Sequence, residues 1–538
     1  MRRALTLSLA GALGLSFLAS PAAAMPRLAD TAVAATATSD ATSTSNTSGG
    51  QDSRTAPSTT SVAASSATTR TIPYTPPPLN WRSCGSSLPS TAKCATLVVP
   101  RDWGSAKVTG TYSVAVARIP ALSPSKRVGV LTFNPGGPGS AALSNISWVY
   151  GLLPTNVRER FDLVAWDPRG VGMSQPSISG CNGKAASPPK TGPVDWANWV
   201  RKYVDAQAAT AEQCLASNRE HAPYIGTWQL VRDLDALREL LGEETLTFWG
   251  MSYGTTVGRA YAQYFPSRVR ALLLDGVISP VSTIELWARE HTWDDPAALD
   301  TMLTALGSDY RRKYDAVFAA LDTRTLPDGN GGRITRWSAG QSIIQWASFH
   351  TTWNSARYLI DKLYAATRGR TAEIRLAAAE QAGDALDTTP AAKGWFDPQF
   401  TYVNCADMPD RPSIATLTEI AEKGYAAGGV PVAQSALREG AWCAGVPKLG
   451  RPLGQITTPI TLTTPPLIAN SIADNRTPWT AALEMAEAFP GSGLVRYGGT
   501  HHIIYGRTTS CVHEPITRYL TKLKVPKAEV RCPLVWYG

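Results

Sequence analysis

The sequence has little charge and very little histidine. Asp, Glu, Lys and Arg make up 17% of its 538 residues, and histidine occurs six times. It has no dense Lys/Arg tract interleaved with aromatics, so the electrostatic footprint of a nucleic-acid binder is missing. After the first 24 residues no stretch is long and apolar enough to span a bilayer, which argues against stable membrane association. There is no C-x-x-C, so zinc and dithiol redox chemistry have no signature. No Gly-Lys-Ser/Thr follows a glycine loop, so a phosphate cradle is not expected. Nothing in the sequence calls for a metal or a cofactor. What is abundant is apolar residues, 43% of the chain, with a net charge of +9. That composition excludes a wholly disordered protein and supports a large core.

The organisation follows from local composition. Residues 1–24 read as an export signal: Arg2 and Arg3, an apolar stretch from Ala4 to Ala19, then Ala22, Ala23 and Ala24 as a cleavage site. The expected address is secreted, outside the cytoplasm. Residues 25–72 are mostly Ser, Thr and Ala without an aromatic, and read as a disordered linker or pro-segment. Eight cysteines suit an oxidising compartment. Eight allow 105 arrangements; nearest-neighbour pairing gives Cys84–Cys94, Cys181–Cys214, Cys405–Cys443 and Cys511–Cys532.

From residue 73 the chain alternates between short apolar runs and helical patterns. Runs at 128–133, 161–166, 245–249 and 269–274 read as strands, and 230–241 and 253–264 as helices. Alternation means a mostly parallel sheet with helices on both faces. It breaks over 286–454, a tryptophan-rich and mainly helical stretch, and resumes at Ile460. The expected layout is an α/β core of 73–285 and 455–538, interrupted by a helical cap insertion at 286–454.

The chemistry centres on Ser252. Gly250-Met251-Ser252-Tyr253-Gly254 lies between a predicted strand and a predicted helix, where a sharp turn projects a hydroxyl above a sheet. The order Ser, acid, His of such sites puts the base at His501 or His502 and the acid upstream. Asp474 is the leading acid; Asp275, at the end of a strand, is the runner-up and is read mainly as a capping residue. The oxyanion donors are the Tyr253 N–H and one from Asn134-Pro135-Gly136-Gly137-Pro138-Gly139, with Gly137 ahead of Gly136.

Together these motifs, with Asp167-Pro168-Arg169-Gly170 and Asp474 followed by Thr477-Pro478, resemble the secreted tripeptidyl aminopeptidases of actinobacteria. These are serine exopeptidases related to proline iminopeptidases. The resemblance runs from about residue 73 to the C-terminus. It implies an α/β-hydrolase fold with a helical cap, peptide substrates cut near a free N-terminus, Ser252 as nucleophile, Asp474 as acid and His501 as base. The family usually reads Gly-His-Gly at the base, where this chain has Thr500-His501-His502. An exopeptidase must also hold an ammonium. Asp407, beside Cys405, is a substrate-binding candidate, against an ordinary capping role. A secreted carboxylesterase or lipase with the same triad is the alternative. A non-catalytic binding protein is disfavoured by the complete Ser/Asp/His set, and epoxide or haloalkane chemistry by Ser in place of Asp at 252. Oligomeric state leaves no mark in the sequence.

Overall fold

In the computed structural model the described residues are 74–538, apart from 86–87, 179–180, 182, 184–185, 330, 371–395 and 537–538. The export signal and the linker expected at 1–72 lie outside them. Strands β1 (Arg82–Ser83), β2 (Lys93–Pro100), β3 (Thr111–Ile119), β4 (Gly129–Asn134), β5 (Phe161–Trp166), β6 (Leu246–Met251) and β7 (Val269–Asp275) precede the helical block. A minor pair, β8 (Leu326–Pro327) and β9 (Arg333–Ile334), lies within it, and β10 (Leu467–Ser471), β11 (Gly493–Tyr497) and β12 (Val530–Cys532) follow. The ten-stranded sheet runs β1-β2-β3-β5-β4-β6-β7-β10-β11-β12. It is antiparallel from β1 through the β3–β5 pair and parallel beyond.

Strands β4, β5 and β6 are buried along their whole length. This is why they appear in sequence as unbroken apolar runs: a parallel sheet covered on both faces has no polar side to alternate with. One face is covered by α1 (Ala142–Leu152), α2 (Thr155–Arg158) and α13 (Ser510–Lys522). The other carries α4 (Thr227–Leu240), α5 (Tyr253–Tyr264) and α12 (Trp479–Ala488). Leu230, Val231, Leu234 and Leu237 of α4 are all buried, each contributing about 1.5–3 kcal/mol relative to exposure.

Between β7 and β10 the chain builds a helical cap. Its helices are α6 (Ile284–Leu306), α7 (Ser308–Thr323), α8 (Arg336–Ala347), α9 (Trp353–Thr367), α10 (Pro398–Asp407) and α11 (Ile414–Ala441). The long α3 (Trp196–Asn218), from the β5–β6 connection, also packs on it, with Trp196 and Trp199 against Trp337. The cap therefore draws on residues outside 286–454. The alternation expected to resume at Ile460 has its first strand at Leu467, where the sequence also reads an apolar run over 467–472; Ile460 itself lies in a loop tied by its N–H to the Ala488 carbonyl. The four disulfides pair Cys84 with Cys94, Cys181 with Cys214, Cys405 with Cys443 and Cys511 with Cys532.

The Asp167–Gly170 motif turns out to be scaffold. Asp167 accepts the N–H groups of Leu143, in the first turn of α1, and of Met173. Arg169 is wholly buried and forks onto Asp233 of α4 at 2.5 and 2.6 Å, while its remaining donors reach the carbonyls of Pro100, Arg101 and Tyr224. Trp103 Nε1 adds a third donor to Asp233 at 2.7 Å. A buried charge with every donor used is tolerable, whereas one stripped of its partner is not. Asp233→Ala should therefore lower the unfolding free energy by about 3–5 kcal/mol in urea titration; a loss under 1 kcal/mol would mean that Arg169 finds water.

Candidate active site

Ser252 stands at the end of β6, with φ 53° and ψ −122°, immediately before α5. Its N–H donates to the Asp275 carbonyl at 2.9 Å, and its carbonyl accepts from the Thr255 N–H and hydroxyl. The turn is possible only because its neighbours have no Cβ: one on Gly250 would run into the Gly254 carbonyl, and one on Gly254 into that of Asn134. The start of α5 brings its partial positive charge to the same place.

The glycine loop after β4 approaches equally closely. A Cβ on Gly136 would lie 2.9 Å from the Met251 carbonyl oxygen and 3.0 Å from Ser252 Cβ. The Gly136 N–H is used locally, donating to Asn134 Oδ1 at 3.0 Å. Gly137, at φ 98°, lines the cavity with Ser252.

Asp474, after β10, is 1% exposed. Its Oδ1 accepts the N–H groups of Arg476 and Thr477, and its Oδ2 accepts the Thr477 hydroxyl at 2.9 Å. The same Oδ2 meets Nδ1 of His502 at 2.8 Å. Facing a carboxylate oxygen that also accepts the Thr477 hydroxyl, that nitrogen is assigned as the donor, which leaves Nε2 as the acceptor.

The histidine at the acid is therefore His502, and the expectation that His501 is the base is corrected. His502 lines the cavity with Ser252. His501 is turned into the protein, 0% exposed, its ring 4.5 Å from that of His350 and 5.4 Å from that of Phe349. Among the described residues neither of its ring nitrogens has a hydrogen-bond partner. Burial, then Arg507, His350 and His502, holds it well below its ordinary pKa, so it is neutral. The backbone fixes the choice. The His502 N–H donates to the Ser348 carbonyl at 3.0 Å, and Ser471 Oγ donates to the His501 carbonyl at 2.6 Å. The next residue, Ile503, is held at φ 67°, a costly setting for a β-branched side chain. The N–H groups of Ile504 and Tyr505 then end on the two oxygens of Asp275 at 2.8 and 3.0 Å. Asp275, pushed up to about 6 by burial, thus anchors the histidine loop while Asp474 holds the ring.

Asp407 is also corrected. It does not line the Ser252 cavity. Both its oxygens are occupied by Thr227, the first residue of α4: the N–H at 2.8 Å and the hydroxyl on the other oxygen. It is a helix cap reaching across from α10, buried enough to be pushed up to about 6.

The cavity, about 1250 Å³ with its mouth, has other carboxylates that sequence reasoning missed. Glu439 of α11 accepts from Arg438 at 2.8 Å and from Trp442 Nε1 at 2.7 Å. Burial opposes its ionisation, but Arg438, His291 and the Trp442 N–H outweigh that and hold it below the usual carboxylate range. Asp295 of α6 accepts from Asn475 Nδ2 at 2.6 Å and meets His291 Nδ1 at 3.2 Å. Asn475 also accepts from Ser348 Oγ at 2.8 Å. Since Asn475 follows Asp474, and Ser348 holds the His502 N–H, cap and core meet at both ends of the Asp474–His502 pair. The only sequence signals for these residues were adjacency to Asp474 and, for Glu439, the nearby Trp442-Cys443. Trp287, Phe400 and Trp442 form an apolar wall.

A family model described as the alpha/beta hydrolase fold matches residues 129–506. The chain belongs to that family. It is similar to "Serine protease Hip1" of Mycobacterium tuberculosis, 29% identical over 496 residues covering 85% of this chain and 91% of that protein. It is 28% identical to "Tripeptidyl aminopeptidase" of Streptomyces lividans, with 84% of this chain and 86% of that one covered. It is 27% identical to "Carboxylesterase B" of Mycobacterium tuberculosis, covering 86% and 91%.

Two outcomes test this geometry. His502→Ala should remove at least about three orders of magnitude of turnover, while His501→Phe, which keeps a ring in the aromatic cluster, should retain most of it; the reverse ranking in steady-state kinetics would return the role to His501. Elsewhere on α6, burial pushes Glu290 up to about 8 and Asp294 up to about 7. Both are protonated in the folded state at pH values where the unfolded chain has lost those protons. Their contribution to stability must therefore fall as pH rises from about 4 to 8. The melting temperature should drop between pH 6 and pH 9, and Glu290→Gln should flatten that drop; an unchanged slope would show that Glu290 does not titrate there.

Proposed function

We propose that the protein is a serine exopeptidase that removes short fragments from the free N-terminus of peptides, in the manner of a tripeptidyl or prolyl aminopeptidase. Ser252 Oγ adds to the scissile carbonyl carbon as His502 Nε2 takes its proton. Asp474 fixes the imidazole tautomer and stabilises its charged form. The N–H groups of Tyr253 and Gly137 receive the developing oxyanion. The C–N bond breaks as His502 passes the proton to the leaving amine, and water then hydrolyses the Ser252 ester by the same route. On this reading a core of 73–285 and 455–538 carries the triad, and the 286–454 insertion roofs it.

The observation that carries the exopeptidase reading is the pair of buried carboxylates, Glu439 and Asp295, in the same cavity as Ser252. A carboxylate in the cavity wall suits a substrate's N-terminal ammonium, which needs an anionic partner once it is buried, because an unpaired buried charge costs several kcal/mol. The name of one relative, a tripeptidyl aminopeptidase, agrees with this reading. We also read the protein as exported, on the strength of the leader and of four disulfides among the described residues. The second reading, a carboxylesterase, draws on one relative's name and on a triad that serves both reactions.

A substrate panel separates them. Free tri- and tetrapeptides should be cleaved at least about a hundredfold better in kcat/KM than their N-acetyl forms, the loss expected when the ammonium's charged hydrogen bond to a cavity carboxylate is not made. Glu439→Gln should erase most of that difference, and Ser252→Ala should abolish turnover of both. Equal rates on free and acetylated peptides, or faster turnover of simple acyl esters than of any peptide, would make the protein an esterase.

A further inference from the structure

Both carboxylates of the cavity are already paired, and with different kinds of partner. Glu439 accepts from Arg438 at 2.8 Å. A guanidinium keeps its charge at any working pH. Asp295 Oδ2 meets Nδ1 of His291 at 3.2 Å, and Ser435 Oγ lies 3.4 Å from the same nitrogen. His291 is buried in the cavity wall, and among the described residues no hydrogen bond ends on its Nε2. An imidazole, unlike a guanidinium, gives up its charge near neutral pH.

The surroundings of His291 set which form it takes. Its own helix carries Glu290, Asp294 and Asp295 beside it. Helix α11 faces it with Ser435, Arg438 and Glu439, and α3 brings the Tyr203 phenol to the last two. The loop after β10 adds Asn475, bonded to Asp295, and Asp474, whose charge is felt by Asp294. Arg476, Arg507 and His502 line the same cavity. Burial disfavours the charged ring, but Asp295, by charge and by hydrogen bond, and then Glu439 outweigh burial and the opposing Arg438. His291 is therefore held above its ordinary pKa. With the ring protonated, Arg438 and His291 balance Glu439 and Asp295.

A peptide ammonium entering this balance adds a positive charge, and an excess buried charge is costly. Arg438 cannot discharge. His291 can: its Nε2 proton passes to water, Nδ1 keeps its bond to Asp295, and the Nε2 lone pair is left as an acceptor for an incoming N–H. One cation leaves the wall for each that enters. We propose that His291 is a specificity-determining residue of the ammonium subsite, which takes up a peptide N-terminus in exchange for the His291 proton. This rests on the exopeptidase reading and deepens it: the preference for a free amine is set by pH. While His291 holds its proton, the ring stands in for the ammonium, and a blocked N-terminus loses its disadvantage.

The test follows the ratio of kcat/KM for Ala-Ala-Ala-Ala to that for its N-acetyl form between about pH 5.5 and 7.5, above the ordinary carboxylate range and below the pKa of a peptide amine. Titration of His502 acts on both substrates and cancels. The ratio should climb about tenfold per pH unit below the His291 pKa and level off above it, as exchange of one proton requires. His291→Gln, which keeps a donor for Asp295, should give a high ratio at every pH. The ratio is internal to each protein, so general damage cancels. As a second readout, Ala-Ala-Ala is bound calorimetrically to the Ser252→Ala protein at about pH 6 in buffers of different ionisation enthalpy. About one proton should be released per peptide, and none with N-acetyl-Ala-Ala-Ala or when His291→Gln is added. A high ratio that ignores pH, or binding without proton release, would overturn the role of His291 and leave the exopeptidase reading standing. A pH dependence that persists in His291→Gln would overturn it too, moving the titration to Glu290 or Asp294. A ratio near one in both proteins at every pH would instead strike the exopeptidase reading.

Discussion

The site is organised by an exclusion of volume. Where β6 turns into α5, the backbone of the turn, the helix start and the end of β4 lie so close that glycine alone fits at 250 and 254. That crowding forces Ser252 into a left-handed setting and lifts its hydroxyl out of the sheet. It also draws the glycine loop over the serine, so that a Cβ on Gly136 would run into Ser252 while Gly137 faces the cavity. The histidine loop is pinned to the same spot, because Asp275, whose carbonyl holds the Ser252 N–H, uses its carboxylate to hold Ile504 and Tyr505. One congested point thus sets the register of Ser252, the glycine loop and His502.

Much of this was legible in sequence for a physical reason. The parallel strands are buried on both faces, so β4, β5 and β7 wrote themselves as apolar runs, and the leucine stripe of α4 gave its helical period directly. The elbow was legible because its glycines are compelled by space. The choice between His501 and His502 was not. Adjacent residues on a loop point to opposite sides, and which side faces the acid depends on the Ser348 carbonyl, on Asp275 and on the positive φ of Ile503, all distant in sequence or invisible to it. Asp407 misled for a related reason: a carboxylate beside a disulfide in the cap is a fair guess for a ligand, but its true partner, Thr227, lies 180 residues away. Glu439 and Asp295 were hidden because buried carboxylates at cavity walls look in sequence like any helix-surface acid.

The motifs that carry the family resemblance divide into two kinds. The serine elbow and Asp474 belong to the candidate site: Ser252 shares the cavity with His502, and Asp474 holds the His502 ring. Asp167 and Arg169 lie outside it: one caps α1, and the other ties the carbonyls of Pro100, Arg101 and Tyr224 to Asp233. Their joint appearance in a sequence marks the scaffold that keeps the sheet edge and α4 in place beneath the site, which is a different message from chemistry.

The bonds joining the cap to Asn475 and His502 give the roof a second office. Ser348 and Asp295 belong to cap segments, yet they hold Asn475, the residue after Asp474, and the backbone of His502. The covering of the cavity and the placement of the residues beside Ser252 are therefore one constraint rather than two: a substitution that loosens the cap at Ser348 or Asp295 is felt at Asn475 and His502 as well.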